Sequence, residues 1–153
     1  MVKPARVLAC SLLLACSSNA LAQQAEQCPR LPAGSNLHWE QQAQSDFVLC
    51  KASTADDRIV LNIMLTPRDP DLPLNRTLRE EKGSFSGESL HWYRPDMGGR
   101  DLPGLESRRI TTLKLSKNHY AQIWIDAADP NELATLQQLT SNLVDPAQGN
   151  DED

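Results

Sequence analysis

The segment Arg109–Val144, RITTLKLSKNHYAQIWIDAADPNELATLQQLTSNLV, decides the fold. Its first half predicts two strands, Arg109 to Ser116 and Tyr120 to Ala127, joined by a tight Lys117-Asn118 turn, which is a hairpin. In the second strand Ala121, Ile123, Ile125 and Ala127 recur every second residue and so share one face. The pattern then changes period. Asp129 offers a side-chain oxygen to the free N–H groups of a helix start, Pro130 fits its first turn, and Glu132 occupies the reciprocal capping position. Leu133, Leu136, Leu139 and Leu143 give that helix one apolar stripe, and Pro146 closes it after Val144. A hairpin followed by a one-sided helix requires an apolar sheet face for the helix to cover.

That face is found upstream. Arg58 to Thr66, RIVLNIMLT, places Ile59, Leu61, Ile63 and Leu65 on one side and the more polar Val60, Asn62, Met64 and Thr66 on the other. The polar turn 53–57 links it to a strand over Asp46 to Ala52, giving a second hairpin. Thr77 to Pro95 reads as one further strand broken by Gly83 and Gly87, with Leu90 and Trp92 on one face and His91 and Tyr93 on the other. Between these lie two loops. Pro67 to Asn75 holds three prolines and cannot continue a central strand, and Arg94 to Gly104 is rich in glycine and aspartate. The expected architecture is α+β: an antiparallel sheet of about five strands with one C-terminal helix packed on one face. Residues 46–146 form this domain, residues 23–45 an irregular N-terminal arm, and residues 147–153 an acidic disordered tail.

The first 22 residues address the chain. Lys3 and Arg6 precede an apolar run from Val7 to Ala15, and Ala20-Leu21-Ala22 is a small-x-small cleavage site. The run is shorter than the roughly 20 residues of a membrane-spanning helix. Residues 1–22 are therefore read as a signal peptide, with a mature chain starting at Gln23 in the bacterial periplasm. The alternative lies in Leu13-Leu14-Ala15-Cys16, which resembles a bacterial lipoprotein signal. Lipidation of Cys16 would hold the protein at the outer membrane, facing the periplasm. Either route leaves Cys28 and Cys50 as the only ordinary thiols, and in an oxidising compartment these are expected to form a disulfide.

Composition narrows the function. The chain has a formal charge of −5, which becomes −7 once Lys3 and Arg6 leave with the signal. An acidic chain repels phosphate backbones, so nucleic acid is excluded as the expected partner. No part of the mature chain is apolar enough to span a membrane, and contact with one depends on Cys16. No nucleophile elbow, zinc-binding helix motif, phosphate loop or dinucleotide fingerprint is present, so neither an enzyme nor a cofactor is expected. His38, His91 and His119 are far apart, and Asp69-Pro70-Asp71 lacks the further oxygens of a calcium loop, so no metal site is expected. Asn75-Arg76-Thr77 matches a glycosylation acceptor, which matters only in a eukaryotic secretory route.

Two sets of residues remain as binding candidates. In the second loop Tyr93, Arg94, Asp96 and Arg100 combine exposed backbone with cations able to contact a carboxylate or phosphate, unless the arginines pair with Asp96 and Asp101. On paired strands Trp92 and Trp124 could stack on a single face. The expected function is that of a small exported, non-catalytic binding protein whose partner is another protein, of the inhibitor or immunity type. The alternative is a membrane-anchored lipoprotein with a role in envelope maintenance or assembly.

Overall fold

The computed structural model describes residues 27–150. The segment 1–22 read as a signal peptide (with Cys16), the expected Gln23 start and the last three acidic residues lie outside them. The fold is α+β: one antiparallel sheet and one C-terminal helix. Its strands are β1 (His38–Ala43), β2 (Val48–Ser53), β3 (Ile59–Thr66), β4 (Arg79–Phe85), β5 (Glu88–Tyr93), β6 (Arg108–Ser116) and β7 (His119–Asp126), and the helix is α1 (Pro130–Ser141). The sheet order is β1-β2-β3-β7-β6-β5-β4.

The sheet has seven strands rather than about five, for two reasons. The Thr77–Pro95 segment is a hairpin, not one broken strand. Ser86 and Gly87 both take positive φ, 51° and 79°, which is the tight turn that matches the twist of paired strands. The arm, expected to be irregular over 23–45, ends in β1, which pairs with β2 from His38↔Ser53 to Ala43↔Val48. As an edge strand with one polar face, β1 needs little apolar sequence, and only Trp39 packs against the core.

Register fixes the two faces. Ala52, Leu61, Ile125 and Arg109 are successive neighbours across β2, β3, β7 and β6. Cys50, Ile63, Ile123 and Thr111 form the next row. Every one of these is buried, and this inner face carries the core. A shift in pairing beside Ser53 breaks the alternation of β3, so Val60 and Leu61 are both fully buried while Ile59 is exposed. The expected stripe Ile59-Leu61-Ile63-Leu65 thus loses its first member.

On this face α1 packs against β4 and β7. Asp129 caps it by accepting from the N–H groups of Asn131 and Glu132 at 2.8 and 2.9 Å. Leu133, Leu136 and Leu143 are buried, and Leu139 is partly so. Beneath the helix the guanidinium of Arg109 is buried. It donates bidentately to Glu81 at 2.7 and 2.8 Å and to the carbonyls of Glu106 and Arg108. Gln137 of α1 donates to the same Glu81, which ties helix to sheet. Beyond the helix the chain stays bonded to the sheet as far as Gln148, two residues into the tail expected over 147–153. Pro146–Asn150 forms a 3-10 turn, Asp145 and His119 make a buried pair, and Gln148 bonds Ser86 and the Leu115 carbonyl.

The outer face is crossed by the proline-rich connection. All pairs from β3 to β4 are antiparallel, so β3 and β4 run parallel, and residues 67–78 must travel both across four strand spacings and along the sheet. From Asp71 to Asn75 exposed and half-buried residues alternate, with Leu72 and Leu74 turned toward protein. Asp69 borders Thr112, Lys114 and Tyr120, three residues of the outer face. The prolines thus set a strap over the face that the helix leaves uncovered.

Two outcomes test this packing. A Cβ on Gly83 would sit 2.6 Å from Trp92 Nε1, so Gly83→Ala should cost about 1–3 kcal/mol in a urea melt, the usual range for overpacking. Glu81, an ordinary carboxyl of 4.5, is held down to about 2, chiefly by its hydrogen bonds from Arg109. Its contribution to stability is complete above pH 4.5 and is lost as pH falls toward 2. Glu81→Gln should therefore be less stable than the parent at pH 7 by about 1 kcal/mol, a figure discounted for screening at a half-exposed side chain. At pH 2, where Glu81 is about half protonated in the folded state, most of this difference should be gone.

Candidate functional site

The binding residues expected from sequence do not assemble. Trp92 is 1% exposed on the inner face, where it fills the space beside Gly83. Trp124 is half-buried on the outer face, paired with Asn62 on one side and Ile110 on the other. The proposed Trp92–Trp124 stack is therefore corrected: β5 and β7 are separated by β6, and the two residues lie on opposite faces of the sheet. Trp124 instead shares a transverse row with Ile110 and Tyr93. Tyr93 is buried there under the Arg79 guanidinium, 5.8 Å from its ring centre.

The second loop uses its polar groups internally. Arg94 pairs with Glu80 at 2.6 Å, not with an aspartate of its own loop. Asp96 accepts from the Gly98 N–H at 2.9 Å, and Arg100 Nε donates to the Met97 carbonyl at 3.2 Å. The three histidines stand apart on β1, β5 and the start of β7. Among the described residues no three His, Cys, Asp or Glu side chains gather as a metal site would require. No helix among them is long and apolar enough to cross a membrane.

The site that the structure does present lies on the inner face, beside α1. Two covers share that face. The helix lies toward β4 and β7, and the arm lies over β1 and β2, where its Cys28 is bonded to Cys50. Between them opens a cleft of about 330 Å³. Leu37 forms the arm wall, Leu136 and Leu139 the helix wall, and Val60 the floor. The lining is mostly apolar.

Three cross-links hold the walls apart. The first is the Cys28–Cys50 disulfide, with Cα atoms 5.7 Å apart. Close to it, the Cys28 N–H donates to Gln41 Oε1, and Trp39 Nε1 donates to the Pro29 carbonyl at 2.6 Å. The second is local. Gly34 and Asn36 adopt positive φ, and the Ser35 N–H closes a turn onto the Pro32 carbonyl at 3.2 Å, presenting Leu37 inward. The third is the bidentate pair of Arg58 with Glu132, at 2.7 and 2.9 Å, which joins the β2–β3 turn to the first turn of α1. Glu132 also accepts from the Ala128 N–H at 2.6 Å. Hydrogen bonds from Arg58 hold its carboxyl below the ordinary carboxylate range, and the Arg58 guanidinium is raised in turn.

At the end of the cleft the β2–β3 turn carries Asp56 and Asp57. Asp56 accepts a hydrogen bond from the Thr54 hydroxyl, which lowers its pKa and keeps it ionised. Asp57 is held at a φ of 61° with its side chain 92% exposed. The site is thus an apolar slot with a carboxylate-bearing lip. Of its residues, sequence reading had singled out the disulfide and the helix stripe but not their juxtaposition. Leu37, Val60 and Asp56 come from separate segments and bear no motif. No family model matches the chain, and no curated protein or solved structure matches it.

Reduction of the disulfide is expected to remove about 3 kcal/mol of stability, the chain-entropy value for a loop of 22-residue separation. Amide exchange should then rise at residues 35–37 and in β1, while α1 and β7 keep their protection. Equal loss of protection in α1 would show that the arm is not a separate cover.

Proposed function

We propose that this chain is a small exported binding protein of the bacterial periplasm that acts without chemistry, by occupying a site on another protein in the manner of an inhibitor or immunity protein. The observation that carries this reading is the apolar cleft between α1 and the arm, braced by a disulfide, a turn and a bidentate ion pair. Braced apolar concavities lose little freedom when they are filled, so more of the contact energy appears as affinity. The disulfide suits an oxidising compartment, and the basic, apolar and small-residue order of the first 22 residues suits export to one. A second reading, a lipoprotein with an envelope role, rests on Leu13-Leu14-Ala15-Cys16.

The test is made on protein expressed from the whole sequence in a Gram-negative host. Intact mass should give a chain starting at Gln23 or its pyroglutamate, recovered from periplasm with both cysteines oxidised. A photo-crosslinking residue in place of Thr135, on the cleft lip, should give an adduct with a protein. The same group in place of Glu88, in the β4–β5 hairpin, should give none. A diacylated Cys16 would establish the lipoprotein reading instead. Absence of any protein adduct from the cleft position would overturn the binding reading.

A further inference from the structure

We propose that the cleft receives a segment of the partner protein in which a bulky apolar side chain is followed or preceded by a lysine or arginine. The inference rests on the reading of the chain as a protein-binding protein and names what that protein must offer. Size sets the apolar part. At about 330 Å³ the cleft falls at the low end of the roughly 300–1,000 Å³ of ligand sites, room for one large side chain and its immediate neighbours. Leu37, Val60, Leu136 and Leu139 make most of the exposed lining hydrocarbon, with Ser35, Asn36, Thr54 and Thr135 among the other lining residues, so a large apolar side chain gains most from filling it.

Charge sets the flanking residue. Two carboxylates, Asp56 and Glu132, line the turn end of the cleft, and Asp57 follows Asp56 in the same turn, with Arg58 as the cation among them. That cation, Arg58, already gives both arms of its guanidinium fork to Glu132. Arg58 also acts on Asp56 through space and Asp57 has His38 at 4.0 Å, yet the carboxylates of the lip still outnumber its one permanent cation. An anionic ligand such as a fatty acid would bring its headgroup against them. A cation beside the buried side chain meets attraction, and the chain's net charge of −5 adds a field of the same sign.

The probe is a library of randomised nonapeptides displayed on phage, selected on the mature disulfide-bonded protein. The expected consensus is a Leu, Ile, Phe or Trp with Lys or Arg within two positions. A selected peptide, made synthetically and fluorescently labelled, should shift amide resonances at 35–37, 54–60 and 132–139. Its affinity should fall about tenfold on Asp56→Lys, a change at a fully exposed side chain that leaves the core untouched. Selection repeated on Asp56→Lys should lose the basic flank. Peptides with no charge preference, or an Asp56→Lys variant that binds the selected peptide unchanged, would overturn the charge assignment and with it the proposal. Shifts confined to the outer face or to residues 94–104 would overturn the cleft while leaving a protein-binding function standing. Shifts in the cleft produced by dodecyltrimethylammonium but by no peptide would make it a site for a cationic amphiphile, which overturns both.

Discussion

One helix cannot cover seven strands. An α-helix with its side chains is about 10 Å across, whereas seven strands at about 4.8 Å spacing make a sheet roughly 29 Å wide. The apolar inner face runs from Cys50 and Ala52 in β2 to Trp92 in β5, and α1 shelters only the part nearest β4 and β7. The other part has to be covered by chain with no regular structure of its own. Such a segment cannot form its own hydrogen-bond ladder, and ordering it costs about 1–2 kcal/mol of backbone entropy per residue. The arm is retained through a covalent bond to the face it covers, through Gln41 and Trp39 of β1, and through a turn that needs Gly34 and Asn36 at positive φ. The cleft is the seam where the two covers fail to meet.

The same shortage explains why the core contains charge. Arg109 occupies an inward position of β6, in the row of Ala52, Leu61 and Ile125. An apolar residue there would pack, but it would not join β4, the 3-10 turn Leu105–Ser107 and α1 at one point, as the guanidinium does through Glu81 and two carbonyls. All three nitrogens of its head have acceptors, so the desolvation cost is met by directed bonds. At the opposite end of the sheet His119 and Asp145 act in the same way on residues 143–148. Both pairs sit where a connection leaves the sheet. They fix the path of a chain that apolar contact alone, being non-directional, would leave free to slide.

What was legible in the sequence follows from this division. α1 and the β6–β7 hairpin carry local rules, a cap, a stripe and a strict alternation, and these survive in the structure; the strand ends move by one residue, while α1 stops at Ser141 rather than near Val144, which leaves the buried Leu143 just beyond the helix. The Cys28–Cys50 bond was legible because these are the only cysteines after residue 22. β1 was not, because an edge strand with Trp39 as its one core contact has no period to detect. Gly83 was taken as a break in a strand. In fact it lies inside β4, and its missing side chain makes room for the Trp92 ring, a contact with a residue nine positions away. The reading that Trp92 and Tyr93 point to opposite faces was correct. The reading that Trp92 meets Trp124 failed because it required a register that only the β5–β6 pairing Tyr93↔Ile110 reveals.

The candidate site was illegible for a stronger reason. Its residues are ordinary ones that would serve a core or a surface equally well, and only the meeting of three distant segments makes them a cleft. Yet the bond that was legible controls it. Cys28 anchors the start of the arm that leads to Leu37, and that anchor persists only where thiols are oxidised. In a reducing compartment the arm would keep the packing of Leu31 and Leu37 and the few hydrogen bonds of Gln41, Trp39 and the 32–35 turn, each bond worth about 0.5–1.5 kcal/mol, against the entropy of some ten residues. Loss of the bond therefore loosens this cover first. The disulfide thus joins the arm to the sheet face at one wall of the cleft, so the shape of that wall depends on the oxidation state of Cys28 and Cys50.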